Sequence, residues 1–269
     1  MIYRDIIVDA TPRDDLVQTL EHARDLAAGF DARVKAACFA WPRTSALRTA
    51  LASNPLSVLE DTRRMEAALA AAHGAFLQVF GSDAKTAEWI SGVAEPARSL
   101  CDHLLTADLL VTSSAPPVAC LLPNAGELAI HGGGPVLRFG QAAKGRGFSN
   151  VVIGWKDAPQ ARRALHDALP LLQRAQVVTV IGVGDEVEQG QLEAVAAHLK
   201  RHDVTAAVNP IPASVGSTGA EDLLGEARRL GADLIVTGAF GRGPLAQRVW
   251  GGMTSGLQTD VELSWLMSH

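Results

Sequence analysis

The chain has 269 residues, 48% of them hydrophobic and 20% charged, with a net charge of −5 and a pI near 5.9. That is apolar material enough for one large or two ordinary domains, and the acidic balance lacks the electrostatic footprint of a nucleic-acid partner. Apolar runs are strand-length, far below the roughly 20 residues that span a bilayer, so no membrane partner is expected.

The first fifteen residues place acidic side chains straight after a short apolar stretch and lack a signal-peptide layout. Cys38, Cys101 and Cys120 are odd in number and show no CxxC spacing. They read as small buried hydrophobes in a reducing compartment, which makes a cytoplasmic location the expectation.

In chain order, Ile6–Asp9 reads as a first strand, and Leu16, Leu20, Ala23 and Ala27 mark the buried face of a helix. Arg33–Ala40 is a second strand, Pro42–Pro55 a loop, and Leu56–Phe80 a long helix rich in alanine. Thr86–Ile90 is a third strand. Pro96–Leu105 is a helix with proline in its first turn, where a missing N–H costs nothing. Leu109–Thr112 and Pro135–Phe139 are the fourth and fifth strands, with Ser113–Glu127 read as a loop after the fourth.

Gly140–Asn150 is small and polar and reads as a linker. Beyond it the same order returns: strand Val151–Trp155, a helix through Ala161, Ala164, Leu165, Ala168 and Leu172, and strand Val177–Val183. A helix about Leu192–His202, strand Thr205–Ile211, helix Glu221–Leu230, strand Leu234–Gly238, an interrupted helix and strand Val261–Met267 follow. ADLLVTSS at 107–114 and ADLIVTGA at 232–239 show that the halves are repeats. Strands alternating with helices imply parallel sheets covered on both faces, in a doubly wound α/β fold. The expected domains are 1–140 and 148–269.

The most informative stretch is Ala232–Leu257. A β-branched strand runs into Gly238, Gly241 and Gly243, and then into a helical stripe of Leu245, Val249, Met253 and Leu257 broken at Gly251-Gly252. A glycine loop between a strand and a helix start can hold phosphate on its backbone N–H groups; glycines of this kind also serve tight turns alone.

Gly238-x-x-Gly241 followed nine residues on by Gly251 resembles the nucleotide-binding signature of the universal stress proteins, and the resemblance extends along the tandem layout of the whole chain. It implies two domains with five-stranded sheets of order 3-2-1-4-5 that pair internally through their fifth strands, with homodimerisation left open. It also implies a stress-linked regulatory role, ATP or another adenine nucleotide as ligand, and at most slow ATP hydrolysis. Gly238, Gly241, Arg242, Gly251, Gly252, Thr254, Gly154, Lys156 and Val183 are then the candidate contacts. The sequence departs from the family pattern where Gly252 replaces a Ser or Thr, and where Lys156 stands at the place of an aspartate, with Asp157 one residue later. Lys156, Arg242 and Arg248 could instead neutralise phosphate.

In the first half Ser113 and Pro116 replace the two loop glycines and Pro117 follows, which removes donors from any phosphate cradle. That half is expected to bind no nucleotide. A nucleotide-free interaction module with vestigial pockets or another ligand is the competing reading. His198 and His202, four apart on a helix, have metal-capable spacing, but the sequence shows no third ligand and no metal is expected. Ser113, Ser114 and Cys120 lie near a strand end without a histidine-plus-acid arrangement, so no catalytic set is expected.

Overall fold

Apolar, β-branched runs become central strands here because both faces of the sheet are covered. The computed structural model describes residues 2–41, 55–82, 86–114, 124–143, 147–185, 187–239 and 260–269, apart from the side chains of 55–59 and 61. The first half runs β1 (Asp5–Asp9), α1 (Leu16–Phe30), β2 (Arg33–Ala40), α2 (Pro55–Phe80), β3 (Ala87–Val93), α3 (Pro96–Leu104), β4 (Leu109–Ser113), α4 (Ala125–Gly132) and β5 (Val136–Phe139). The second runs β6 (Asn150–Gly154), α5 (Pro159–Leu172), β7 (Val177–Val183), α6 (Gln189–Lys200), β8 (Ala207–Ile211), α7 (Gly219–Arg229), β9 (Leu234–Gly238) and β10 (Ser264–Ser268).

The strands form one sheet of order β3-β2-β1-β4-β5-β10-β9-β6-β7-β8. Each half therefore keeps a parallel 3-2-1-4-5 arrangement, and the two meet antiparallel at β5 and β10 with Leu137 opposite Leu266. Gly140 makes this junction tight, since a Cβ there would stand 2.1 Å from the Glu262 carbonyl oxygen. The start of the expected linker is accordingly tied down: Gln141 N–H donates to Val261 O at 2.8 Å and Ala142 N–H to Glu262 O at 3.1 Å. β10 begins three residues later than expected because Asp260 Oδ1 accepts from Glu262 N and Leu263 N, closing a side-chain turn ahead of the strand.

The ADL repeat has a physical reason. Asp108 Oδ2 accepts from the backbone N–H of Arg4 and Asp5, at 2.7 and 3.0 Å, where β1 begins. Asp233 does the same for Ser149 and Asn150, at 2.8 and 3.1 Å, where β6 begins. A carboxylate accepting two N–H groups fixes the edge of each fourth strand against the start of each first.

One face of the sheet buries Val8, Leu20, Leu109, Ile153, Leu165 and Leu266 under α1, α2, α5 and α6. The other buries Ile7, Leu100, Leu128, Val152, Leu223 and Trp265 under α3, α4 and α7. Helix α4 falls partly in a stretch expected to be loop. Asn124 caps it by accepting from Gly126 N and Glu127 N, and Gly133 closes it at φ 70°.

Candidate functional site: two unlike crevices

In a doubly wound sheet, ligands sit outside the carboxyl ends of the strands where the strand order reverses. Each half has one such point, between β1 and β4 and between β6 and β9. Strand register makes them comparable position by position. Ile6 faces Leu109 across β1–β4 as Val151 faces Leu234 across β6–β9. Asp9 thus corresponds to Gly154, Thr11 to Lys156, Arg13 to Ala158, Thr112 to Thr237 and Ser113 to Gly238.

The first crevice is filled by its own side chains. Asp9, fully buried at the end of β1, accepts at Oδ1 from Thr11 N at 3.0 Å and Thr11 Oγ1 at 2.5 Å. Its Oδ2 accepts from Thr112 Oγ1 at 2.8 Å and pairs with Arg13 Nη2. Arg13 is 6% exposed. Its Nε donates to Thr11 O, its Nη1 to Thr112 Oγ1 and Ser113 Oγ, and its Nη2 to Asp9 O as well as Oδ2. A guanidinium has five N–H donors, and all five are taken. Ser113 Oγ passes the network on to Asp15 Oδ1 at 3.0 Å. Nothing on this arginine is left to offer a phosphate.

Among the described residues, the second crevice has no such plug. Glycine replaces the buried aspartate, and the space a Cβ would take at Gly154 is met by Leu223 Cδ2 at 2.6 Å and Thr237 Cγ2 at 3.1 Å. Thr237 Oγ1 accepts instead from the Trp265 indole N–H at 2.7 Å. Trp155 lies one residue beyond β6 rather than in it, is 8% exposed, and turns toward the α5–α6 face. Lys156 is half-buried at the start of the loop into α5.

Of the nine residues expected to contact nucleotide, Gly154, Lys156, Val183 and Gly238 stand at the carboxyl ends of the adjacent strands β9, β6 and β7. Gly241, Arg242, Gly251, Gly252 and Thr254, together with Arg248, lie outside the described residues. The structure gives Gly238 a packing role: a Cβ there would stand 2.7 Å from the Gln160 carbonyl carbon and 2.8 Å from Ala161 N. Its missing side chain admits the first turn of α5.

The sequence reading missed the Asp9–Arg13 lock. The signal was a carboxylate and a guanidinium four residues apart across the turn after β1. Their meeting also needs Thr112 from β4, a partner about a hundred residues away.

The histidines are arranged differently from expectation. His166 on α5 joins His198 and His202, with ring centroids 4.7 to 6.2 Å apart. Among the described residues, no group of three His, Cys, Asp or Glu side chains is placed to hold a metal ion. Burial, reinforced by the neighbouring His202, His166 and Arg201, pushes the His198 imidazole below the ordinary histidine range. No described helix is long and apolar enough to cross a membrane.

Comparison with solved structures places this architecture. A universal stress protein from Archaeoglobus fulgidus DSM 4304 matches 99% of this chain and 96% of its own, at TM-score 0.71 and 13% identity. A Pseudomonas aeruginosa UCBPP-PA14 protein given the same family name matches 99% and 93% at TM-score 0.60 and 14% identity. A protein of unknown function from Pseudomonas aeruginosa PAO1 matches 99% and 92% at 0.55 and 15% identity. No protein-family model and no curated protein sequence matches the chain. The fold is that of the tandem universal stress proteins, and these likenesses establish the fold alone.

Proposed function

We propose that this is a universal-stress-type ligand-binding protein with at most one adenine-nucleotide site per chain, held by the second half, and with a regulatory rather than catalytic role. The observation behind this reading is the contrast between the two switch points. Arg13 closes the first with every donor spent, while Ala158 stands at its place in the second. Lys156 stands at the start of the loop that leaves the carboxyl end of β6, and Gly241, Gly251 and Thr254 supply the phosphate loop. The first half, 1–140, serves as the closed partner of 148–269 in an internal pair joined at β5 and β10, working in a reducing compartment.

A second reading rests on Gly238 and Gly154. Both glycines are explained by packing against α5 and Leu223, without a ligand. On that reading the protein is a nucleotide-free module whose ligand lies elsewhere.

Calorimetric titration of ATP into the full chain decides between them. The first reading expects a stoichiometry near one and loss of binding in Gly241→Val, whose branched side chain fills the space where backbone would approach phosphate. Absence of heat, together with no nucleotide among small molecules released from the purified protein, supports the second.

A further inference from the structure

In the first half α1 packs directly on α2. The corresponding helices of the second half, α5 and α6, stand on either side of a cavity of about 370 Å³ whose walls include Trp155, Leu165, Ala194 and Val195. His166 from α5 and His198 from α6 border the same cavity, and His202 lies just past the end of α6. The backbone of His202 is held in place: its N–H donates to Leu199 O at 2.8 Å, and its carbonyl accepts from Gln173 Nε2, at the end of α5, at 3.0 Å. His166 is exposed and the other two histidines are half-buried.

Two of these residues have metal-capable spacing in the sequence, and the fold brings in the third. Ring centroids are 5.2 Å apart for His166 and His198, 4.7 Å for His198 and His202, and 6.2 Å for His166 and His202. Three imidazoles bound at about 2.0–2.1 Å to one tetrahedral ion have centroids about 5 Å apart. As the rings stand they meet edge to face and do not hold an ion together. Rotation about χ2, a soft torsion in histidine, turns a ring about an axis close to its own centroid. It redirects the nitrogens and leaves the spacings nearly unchanged. The longest spacing runs to the exposed His166, which has room to close it.

Asp157 and Arg162, at the rim of the cavity, pair with each other. Arg201 lies close enough to His198 to act on its charge, and its sign opposes a cation, so the expected affinity is modest.

We propose that His166, His198 and His202 together bind a divalent transition-metal ion of the zinc class. Imidazole nitrogen suits zinc, nickel or copper, whereas magnesium and calcium call for oxygen ligands. Three protein ligands leave the fourth position to water. The site shares none of the nine residues of the nucleotide reading and stands or falls without it.

Zinc titrated calorimetrically into the tag-free, chelator-treated full chain, without nucleotide, should bind at one ion per chain, and magnesium should not compete. Of the eight histidines in the chain, these three should show imidazole NMR signals that shift at one equivalent of zinc. Loss of a group that only supports a metal ligand costs about 10–100-fold in affinity, so His166→Ala and His198→Ala should each weaken binding at least about tenfold. His131→Ala, at an exposed histidine on α4, should change nothing. Zinc should raise the thermal midpoint of the parent chain and raise that of His166→Ala by less. If His198→Ala fails to fold, the exposed His166 decides. No zinc binding below about 100 μM, NMR shifts at other histidines alone, or an affinity that His166→Ala leaves unchanged overturns the proposal.

Discussion

The Asp9–Arg13 lock can be broken from either side. Arg13→Met removes the cation while keeping a long apolar stem, and leaves Asp9 with three donors, from Thr11 N, Thr11 Oγ1 and Thr112 Oγ1. Asp9→Ala leaves the guanidinium buried with only neutral acceptors, Thr11 O, Asp9 O, Thr112 Oγ1 and Ser113 Oγ. Removing one partner of a buried ion pair costs roughly 3–5 kcal/mol, because the survivor remains desolvated. The retained donors put Arg13→Met near the lower figure, and Asp9→Ala is expected to cost more. At about 2–4 °C per kcal/mol for chains of 150–250 residues, the lower figure corresponds to a fall of about 6–12 °C in thermal midpoint. The double variant removes both charges and should lose less than the two singles together, a coupling of at least about 2 kcal/mol. Guanidinium melts read by circular dichroism and by tryptophan fluorescence supply the free energies where the two transitions coincide. Singles that each cost under about 1 kcal/mol, or a double that equals their sum, would refute the reasoning that this crevice is closed by a mutually dependent pair.

Two further outcomes follow from the same geometry. Gly238→Ala should cost about 2–3 kcal/mol, because the new methyl meets the backbone of Gln160 and Ala161, whereas Gly154→Ala should cost nearer 1 kcal/mol, since the end of Leu223 can turn aside; equal losses in urea melts would contradict this. His22 and His198 are both held below the ordinary histidine value, first by burial. The unfolded chain therefore binds protons that the folded one refuses, and the stability these rings contribute is present above about pH 6.5 and lost as pH falls through their folded values. Burial holds the Asp167 carboxyl above its ordinary range and acts in the opposite sense, so the readout is the difference between variants. Thermal midpoints between about pH 7 and 5.5 should fall less steeply in His198→Gln than in the parent chain, and parallel slopes would show that this imidazole is not held neutral.

The fold was legible because it is written in local signals repeated twice. Ile6–Val8 and Val151–Ile153 are buried on both faces, so they read as apolar runs, and the ADL motif marks each fourth strand because its aspartate braces each first strand. Helix α4 was lost because Ser113–Glu127 was read by its prolines, although Asn124 and Gly133 carried ordinary cap signals. The site was less legible. Glycine spacing carries no record of what fills the space beside each glycine, and at Gly154 and Gly238 that space holds Leu223 and the first turn of α5.

The asymmetry between the halves was expected from Pro116 and Pro117, which lie outside the described residues. The structure shows a further difference between the halves. At equivalent positions of the repeat, Asp9, Thr11 and Arg13 stand in the first half and Gly154, Lys156 and Ala158 in the second. The first set turns inward, with its charges paired and its donors spent. The second leaves a half-buried lysine at the loop and moves the bulk to Trp155, where the first half has Ala10. Trp155 lines the cavity between α5 and α6 together with Ala194 and Val195, where the first half has helix packed on helix. Among the described residues only the first half's switch point is closed in this way, which is why the proposed nucleotide is to be sought in the second half.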